Sequence, residues 1–169
     1  MRRQIYLSTR KIWSDITKLL IKHNYSISTM ESCTSGLVAT LITNEPGASA
    51  IMKGAFVTYS NEAKIKQGVG ANIIEEYGVY STETAIDMAW NCKNAYKACI
   101  GIGVTGIIDR IDPNNVTDTK KIYVAIIFGS ETRTFLVDIP THIVDRFERK
   151  MYIANSIGAY LYGWLHEID

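Results

Sequence analysis

Tyr25-Ser26-Ile27-Ser28-Thr29-Met30-Glu31-Ser32-Cys33-Thr34-Ser35-Gly36-Leu37-Val38-Ala39-Thr40-Leu41-Ile42 is the stretch that decides the fold. Residues 25–30 alternate in polarity and read as a short strand. Ser32 to Gly36 concentrates hydroxyls, a thiol and a glycine into one turn. Leu37, Val38, Leu41 and Ile42 then recur at helical spacing, and Pro46-Gly47 stops that helix. A strand that turns directly into a helix is the unit from which α/β sheets are built.

The same grammar extends in both directions. Ile12, Ile16, Leu19 and Leu20 predict a first helix ending near His23-Asn24. Gly54 to Tyr59 reads as a second strand, and Asn61 as the cap of a helix carrying Lys64. Ile73 to Tyr77 predicts a short helix ending at Gly78. Ser81 caps the next, with Glu83 in its first turn and Ala85, Met88, Ala89 and Cys92 on its buried face. Ala98 to Val104 is small and apolar enough to be a strand buried on both sides. Thr105 to Lys121 reads as a polar loop. Ile122 to Phe128 and Thr132 to Ile139 form a hairpin around Gly129-Ser130-Glu131. Thr141 caps a last helix with Val144, Phe147, Met151, Ala154, Ile157 and Leu161 inward. The aromatic run from Tyr160 to Leu165 packs internally by default. Strands alternating with helices and closing on a hairpin predict an α/β fold, a three-layer α/β/α sandwich around a mixed central sheet.

Bulk composition narrows the function. The chain has 169 residues, 47% of them hydrophobic and 21% charged. That suits a single domain over residues 1–169. A net charge of +1 provides no basic field for nucleic acid, and Arg2-Arg3 and Lys120-Lys121 are only pairs. Cys33, Cys92 and Cys99 form no CxxC and leave one thiol over, so neither a disulfide framework nor a zinc knuckle is indicated. The clean apolar run Val124 to Phe128 is far too short to span a membrane. The N-terminus has no signal-peptide core. These features predict a cytoplasmic protein with reduced thiols, no membrane partner, no metal and no cofactor.

In a sheet of this kind the crevice lies beyond the carboxyl ends of the strands. The turns after Met30, Thr58 and Val104 all fall there. Ser32 is a candidate nucleophile, set near helix-start N–H groups that can hold negative charge. A serine hydroxyl alone is weak and needs a base. His23, His142 and His166 show no pairing with an acid, so a Ser-His-Asp triad is poorly supported. Lys64 is the better base. Bringing a lysine from about 10.4 down to the range of a useful base costs roughly 4 kcal/mol, which burial can supply. Tyr59 can orient that lysine or relay a proton, and Thr105-Gly106 can offer a hydroxyl and an N–H to the same substrate. Taken singly, each residue has a plainer role. Ser32 is a helix cap, Lys64 a solvated side chain, Tyr59 strand packing and Cys33 a small buried hydrophobe.

Taken together, Glu31-Ser-Cys-Thr-Ser-Gly36, Pro46-Gly47-Ala48-Ser49, Gly54-Ala55-Phe56-Val57-Thr58-Tyr59-Ser60-Asn61-Glu62-Ala63-Lys64 and Val104-Thr105-Gly106-Ile107 resemble the C-terminal domain family of the competence/damage-inducible protein CinA. The likeness runs from about Ile12 to the C-terminus. It resembles a stand-alone form, without the molybdopterin-binding-like domain of full-length CinA proteins. The resemblance implies a homodimer and an amidohydrolase that converts nicotinamide mononucleotide to its acid with release of ammonia, a step of pyridine nucleotide salvage. It also implies Ser32 as nucleophile, with Lys64 and Tyr59 as its catalytic companions. Cys33, Thr34, Ser35, Gly36, Asn61, Thr105 and Gly106 would then contact the small-molecule nucleotide. Arg146, with Arg149 as rival, would meet the phosphate.

The sequence also departs from the family pattern. Ser35 stands where the family has a first glycine. After Ile107 the family's glycine-rich run is replaced by Ile108-Asp109-Arg110-Ile111-Asp112-Pro113-Asn114-Asn115, and Thr119-Lys120-Lys121-Ile122 replaces Val-Gly-Thr-Val. That rebuilt wall raises two alternatives. One is a paralogue that binds or interacts without this activity. The other is an amidase in which Arg110 and Lys120 read a different anion.

Overall fold

The computed structural model describes residues 2–109 and 121–168. In chain order its elements are helix α1 (Arg2–His23), strand β1 (Ile27–Glu31), helix α2 (Leu37–Thr43), a 3₁₀ turn (Ala48–Ala50), strand β2 (Met52–Val57), helices α3 (Asn61–Lys66), α4 (Ala71–Tyr77) and α5 (Thr82–Ala95), strands β3 (Ile100–Gly106), β4 (Lys121–Phe128) and β5 (Glu131–Asp138), and helix α6 (Arg146–Glu167). The strands form one sheet in the order β2-β1-β3-β4-β5. β1 pairs in parallel with β2 and β3, while β3–β4 and β4–β5 are antiparallel. This is the mixed three-layer α/β/α sandwich that the sequence predicts.

One face of the sheet is covered by α1, α2 and α6. Trp13, Ile16 and Leu20 of α1 meet Ala154, Ile157 and Leu161 of α6 above Ile102, Val104 and Val124. The buried Trp13 indole donates to the Ala154 carbonyl at 2.9 Å, so its N–H is satisfied inside the core. The C-terminal aromatic run packs internally: Tyr160 stacks on Phe135 and Trp164 meets Phe128 edge-on. On the other face α5 lies close against β3. A Cβ at Gly103 would stand 2.1 Å from the Ala85 carbonyl oxygen, and one at Gly101 would stand 2.3 Å from that of Ala89. These two glycines therefore set how near the helix can come. Ala85, Met88, Ala89 and Cys92 are its buried face, as their spacing predicts.

Several boundaries differ from the sequence reading, and the second strand ends at Val57, which leaves Thr58 and Tyr59 beyond it. Asn61 does not cap α3; it is the first helical residue, and the Ser60 hydroxyl accepts from the Ala63 N–H. Thr141 does not cap α6 either. Asp145 does, accepting from the Glu148 N–H, so the helix starts later than its apolar spacing suggests. Val144 and Phe147, read as inward, are 74% and 55% exposed because they stand before and within a first turn that overhangs the core. Thr105 and Gly106 belong to β3 rather than to a loop. Among the described residues, no helix is long and apolar enough to cross a membrane.

The parallel strands β2, β1 and β3 end on one edge of the sheet. β4 begins there, and β5 ends there before the chain passes to α6. The 32–36 turn, the approach to α3, residues 107–109 and the start of α6 therefore share one rim.

Candidate active site

Glu31 closes β1 and is fully buried. It is a residue to which sequence reasoning gave no role. Its Oε2 accepts from the Thr34 hydroxyl (2.7 Å) and from the N–H groups of Gly36 (3.0 Å) and Val38 (3.1 Å). Its Oε1 accepts from the Ala39 N–H (2.9 Å) and the Thr29 hydroxyl (3.1 Å). An ionised carboxylate, with two oxygens and no proton to donate, suits five donors. It caps the start of α2, where Gly36 has no side chain to do so. The N–H groups that the sequence reading offered to a substrate are thus given to Glu31. A buried acid at a strand end, directly before a turn and a helix with no cap of its own, is the signal that would have found it.

The turn held by Glu31 has an unusual backbone. Ser35 and Gly36 are both left-handed, at φ 53° and 86°. Glycine adopts that region freely, whereas a serine does so at a cost. Ser35 is exposed, and its hydroxyl accepts from Lys150 Nζ of α6 at 3.0 Å. Lys150 is a second residue that the sequence reading did not single out.

Ser32 lies at the start of this turn, 6% exposed, with its N–H on the Val104 carbonyl. Lys64 comes from α3, anchored by the Ser60 cap, and is 1% exposed. Its Nζ donates to Ser32 Oγ at 3.2 Å and to the Thr58 carbonyl at 2.9 Å. The two residues are distant in sequence and meet because β1 and β2 are adjacent and parallel. The Thr58 N–H in turn donates to the Glu31 carbonyl at 2.9 Å, so both junctions are tied to one strand end.

The other expected residues separate into two groups. Tyr59 is 60% exposed, and its hydroxyl accepts from Arg146 Nη2 at 3.1 Å. Arg146 also pairs with Asp109. Arg149 pairs with the same carboxylate and donates to the Ile143 (2.7 Å) and Ile108 (3.1 Å) carbonyls. Both rival arginines thus face Asp109, but only Arg146 reaches Tyr59. By contrast Cys33 and Thr105 are turned inward. Burial, reinforced by the Glu31 charge, pushes the Cys33 thiol up to about 12, which leaves it an inert core thiol near neutral pH. The fully buried Thr105 hydroxyl donates to the Val79 carbonyl at 2.9 Å. Gly106 sits where a Cβ would meet the Lys121 carbonyl oxygen at 2.5 Å. Thr34 is buried with its hydroxyl on Glu31, and Asn61 is half-buried at the start of α3. Arg110, Lys120 and residues 111–115 of the rebuilt wall lie outside the described residues.

The fold and this rim define a class, an α/β/α domain that brings a serine hydroxyl against a buried lysine at the carboxyl edge of its parallel strands. The chain belongs to the CinA C-terminal domain family, which matches residues 9–152. It is 38% identical over 156 residues to a competence-damage inducible protein of Halothermothrix orenii, covering 89% of this chain and 36% of that relative. It is 45% identical over 101 residues to a CinA-like protein of Amoebophilus asiaticus, covering 59% of this chain and 24% of the relative. The chain therefore spans about a quarter to a third of the length of these curated relatives. Among solved structures, competence/damage inducible protein CihA of Agrobacterium tumefaciens superposes with a TM-score of 0.83 at 26% identity, over 94% of this chain and 96% of that one. Competence damage-inducible protein A of Klebsiella pneumoniae gives 0.86 at 22% identity, over 94% and 97%, and shares the fold.

Proposed function

We propose that this chain is a serine amidohydrolase that acts on the carboxamide of nicotinamide mononucleotide. The observation that carries the reading is the 3.2 Å approach of Lys64 Nζ to Ser32 Oγ, with both groups withdrawn from water. Desolvation disfavours the charged form of any amine, which is the condition a lysine base requires. The Thr58 carbonyl fixes the direction of the amine.

In this reading Ser32 Oγ attacks the carboxamide carbon, and its proton passes to Lys64 Nζ. The tetrahedral adduct collapses, the C–N bond breaks, and Lys64 returns the proton to the departing nitrogen, which leaves as ammonia. Water then attacks the Ser32 ester, Lys64 takes its proton, and the C–O bond to Ser32 breaks as the hydroxyl is restored. The sum is amide plus water giving acid plus ammonia. Cys33 and Thr34 contribute main-chain N–H groups to the oxyanion, since their side chains are engaged elsewhere. Arg146 and Tyr59 meet the phosphate. The nucleotide and a second copy of the chain are the partners this reading names.

A second reading, a re-specialised family member that binds without this turnover, is favoured by Asp109 lying on Arg146 and Arg149. Ammonia release from nicotinamide mononucleotide by the purified chain separates the two. The first reading expects turnover that Ser32→Ala abolishes with the melting temperature unchanged. No turnover by the parent, together with no thermal shift on adding the nucleotide, selects the second.

A further inference from the structure

Asp109 lies just past the end of β3, and its carboxylate is shared between two guanidinium groups. Arg146 Nη1 approaches Oδ2 and Arg149 Nη1 approaches Oδ1. An anion with one oxygen on each of two arginines is the arrangement in which guanidinium forks hold a phosphate. Arg149 is fixed by its bonds to the Ile143 and Ile108 carbonyls. Arg146 is the more open of the two, with a side chain 48% exposed against 16% for Arg149, and it extends to the Tyr59 hydroxyl, which follows β2 on the same rim as Ser32 and Lys64. The Asp109 side chain is itself 37% exposed, so water and solutes reach the pair.

We propose that Asp109 is an internal anion seated in the site that would otherwise take a ligand's phosphomonoester, and that it sets specificity by competing with that group. A phosphate enters only by displacing the carboxylate, which then stands beside it as a like charge. Asp109 thereby narrows the preference for a phosphorylated ligand over its unphosphorylated counterpart. The inference rests on the function proposed above only in taking Arg146 as the cation that meets the phosphate. It requires no turnover.

Inorganic phosphate is the probe, and its dissociation constant is measured calorimetrically at constant ionic strength on the full chain. Asp109→Asn keeps the shape and removes the charge, while Asp109→Gly removes the side chain. Both are expected to bind phosphate about tenfold more tightly than the parent, the size of two partly exposed ion pairs released. Adding Arg146→Gln to Asp109→Asn is expected to cancel the gain. If Asp109 only staples α6 to the end of β3, both variants melt earlier and bind phosphate as the parent does, which overturns the proposal. A measurement on the unmodified chain covers the case of variants that do not fold. The parent is expected to prefer nicotinamide mononucleotide over nicotinamide riboside by less than about thirtyfold, because two unopposed charge-assisted contacts would give more. A larger preference overturns the proposal. Absence of ammonia release would instead sink the amidase reading and leave the phosphate result to be judged alone.

Discussion

The two walls of the rim are built in opposite ways. On one side Glu31, Ser32, Thr34 and Lys64 are almost entirely withdrawn from solvent, and every contact named for them runs to main chain or to another buried group. On the other side Tyr59 and Arg146 are exposed and Asp109 is partly so, and they are joined by an ion pair and one hydrogen bond. A buried hydrogen-bonded carboxylate has no cheap alternative partner, whereas an exposed ion pair exchanges readily with water and salt. The first wall is therefore fixed by the fold, and the second can be retuned without unfolding it.

Removing one carboxylate from each wall tests that contrast most severely. Glu31→Ala leaves the N–H groups of Gly36, Val38 and Ala39 and the Thr29 and Thr34 hydroxyls without their acceptor. We expect a loss of about 4 kcal/mol in urea or thermal unfolding. Glu31→Gln keeps the shape but turns an NH₂ toward donors, and should fall between Glu31→Ala and the parent. Asp109→Ala should cost less than about 1 kcal/mol. Similar losses at the two positions would mean that the walls are not different in kind.

The contrast also bears on chemistry. Lys64→Arg keeps the positive charge and most of the packing, but an arginine does not give up its proton at any working pH. If Lys64 is the base, ammonia release should fall at least about a thousandfold, equivalent to about 4 kcal/mol of barrier. Tyr59→Phe on the open wall should instead raise KM by less than about tenfold with kcat little changed, as expected of a group that helps only to seat the ligand. Persistent turnover by Lys64→Arg removes lysine from the base role.

The division between the walls follows what was legible in the sequence. Ser32 and Lys64 were readable because each is written into a local strand–turn–helix pattern, and two parallel strands bring such patterns to one edge. Glu31 was not, because its partners are main-chain groups of the following helix, and a fully buried acid contradicts the usual reading of a charge. On the exposed wall Tyr59 was legible from its strand-to-helix junction, whereas Arg146 came only through family resemblance. Nothing in the spacing of Tyr59, Asp109 and Arg146 predicts that they meet, since β2, the end of β3 and α6 converge only in the finished fold. Thr141 is the hydroxyl that the sequence offers as a cap for α6, and the helix starts later. Asp145 is the cap the structure uses, its carboxylate holding the Glu148 N–H. Extending the apolar spacing back to Val144 ran past the point where core lies beneath the helix.

Alkaline titration of the two buried thiols probes the packed side of the molecule. Burial raises the Cys33 thiol to about 12 and the Cys92 thiol to about 11 from an ordinary 9.0. Folding therefore favours their neutral forms. Their contribution to stability is complete below pH 9 and is lost progressively as the pH climbs toward 11 and 12. At one unit above 9.0 each thiol should account for about 1.4 kcal/mol of the loss. Cys33→Ala and Cys92→Ala should each make the fall in unfolding free energy between pH 8 and pH 10 shallower by roughly that amount, whatever they do to stability at pH 8. Slopes unchanged from the parent would mean that these thiols are less shielded than their packing implies.

The smallest effect is expected where the walls meet. Ser35 carries the left-handed backbone of the nucleophile turn and accepts a hydrogen bond from Lys150 across the rim. A serine in that region is strained, and glycine is not. Replacing it removes the strain but also the exposed contact with Lys150, and it loosens the unfolded chain. Ser35→Gly should gain about 0.5 to 1 kcal/mol over the parent, because an exposed hydrogen bond is worth less than the relieved backbone. Ser35→Ala is the control. It keeps the Cβ and the strain while losing the hydroxyl, so it should be neutral or slightly destabilised. The difference between the two variants isolates the backbone term. Equal melting temperatures for Ser35→Gly and Ser35→Ala would show that the turn held by Glu31 accommodates a side chain without strain, and that its geometry does not require glycine at this position.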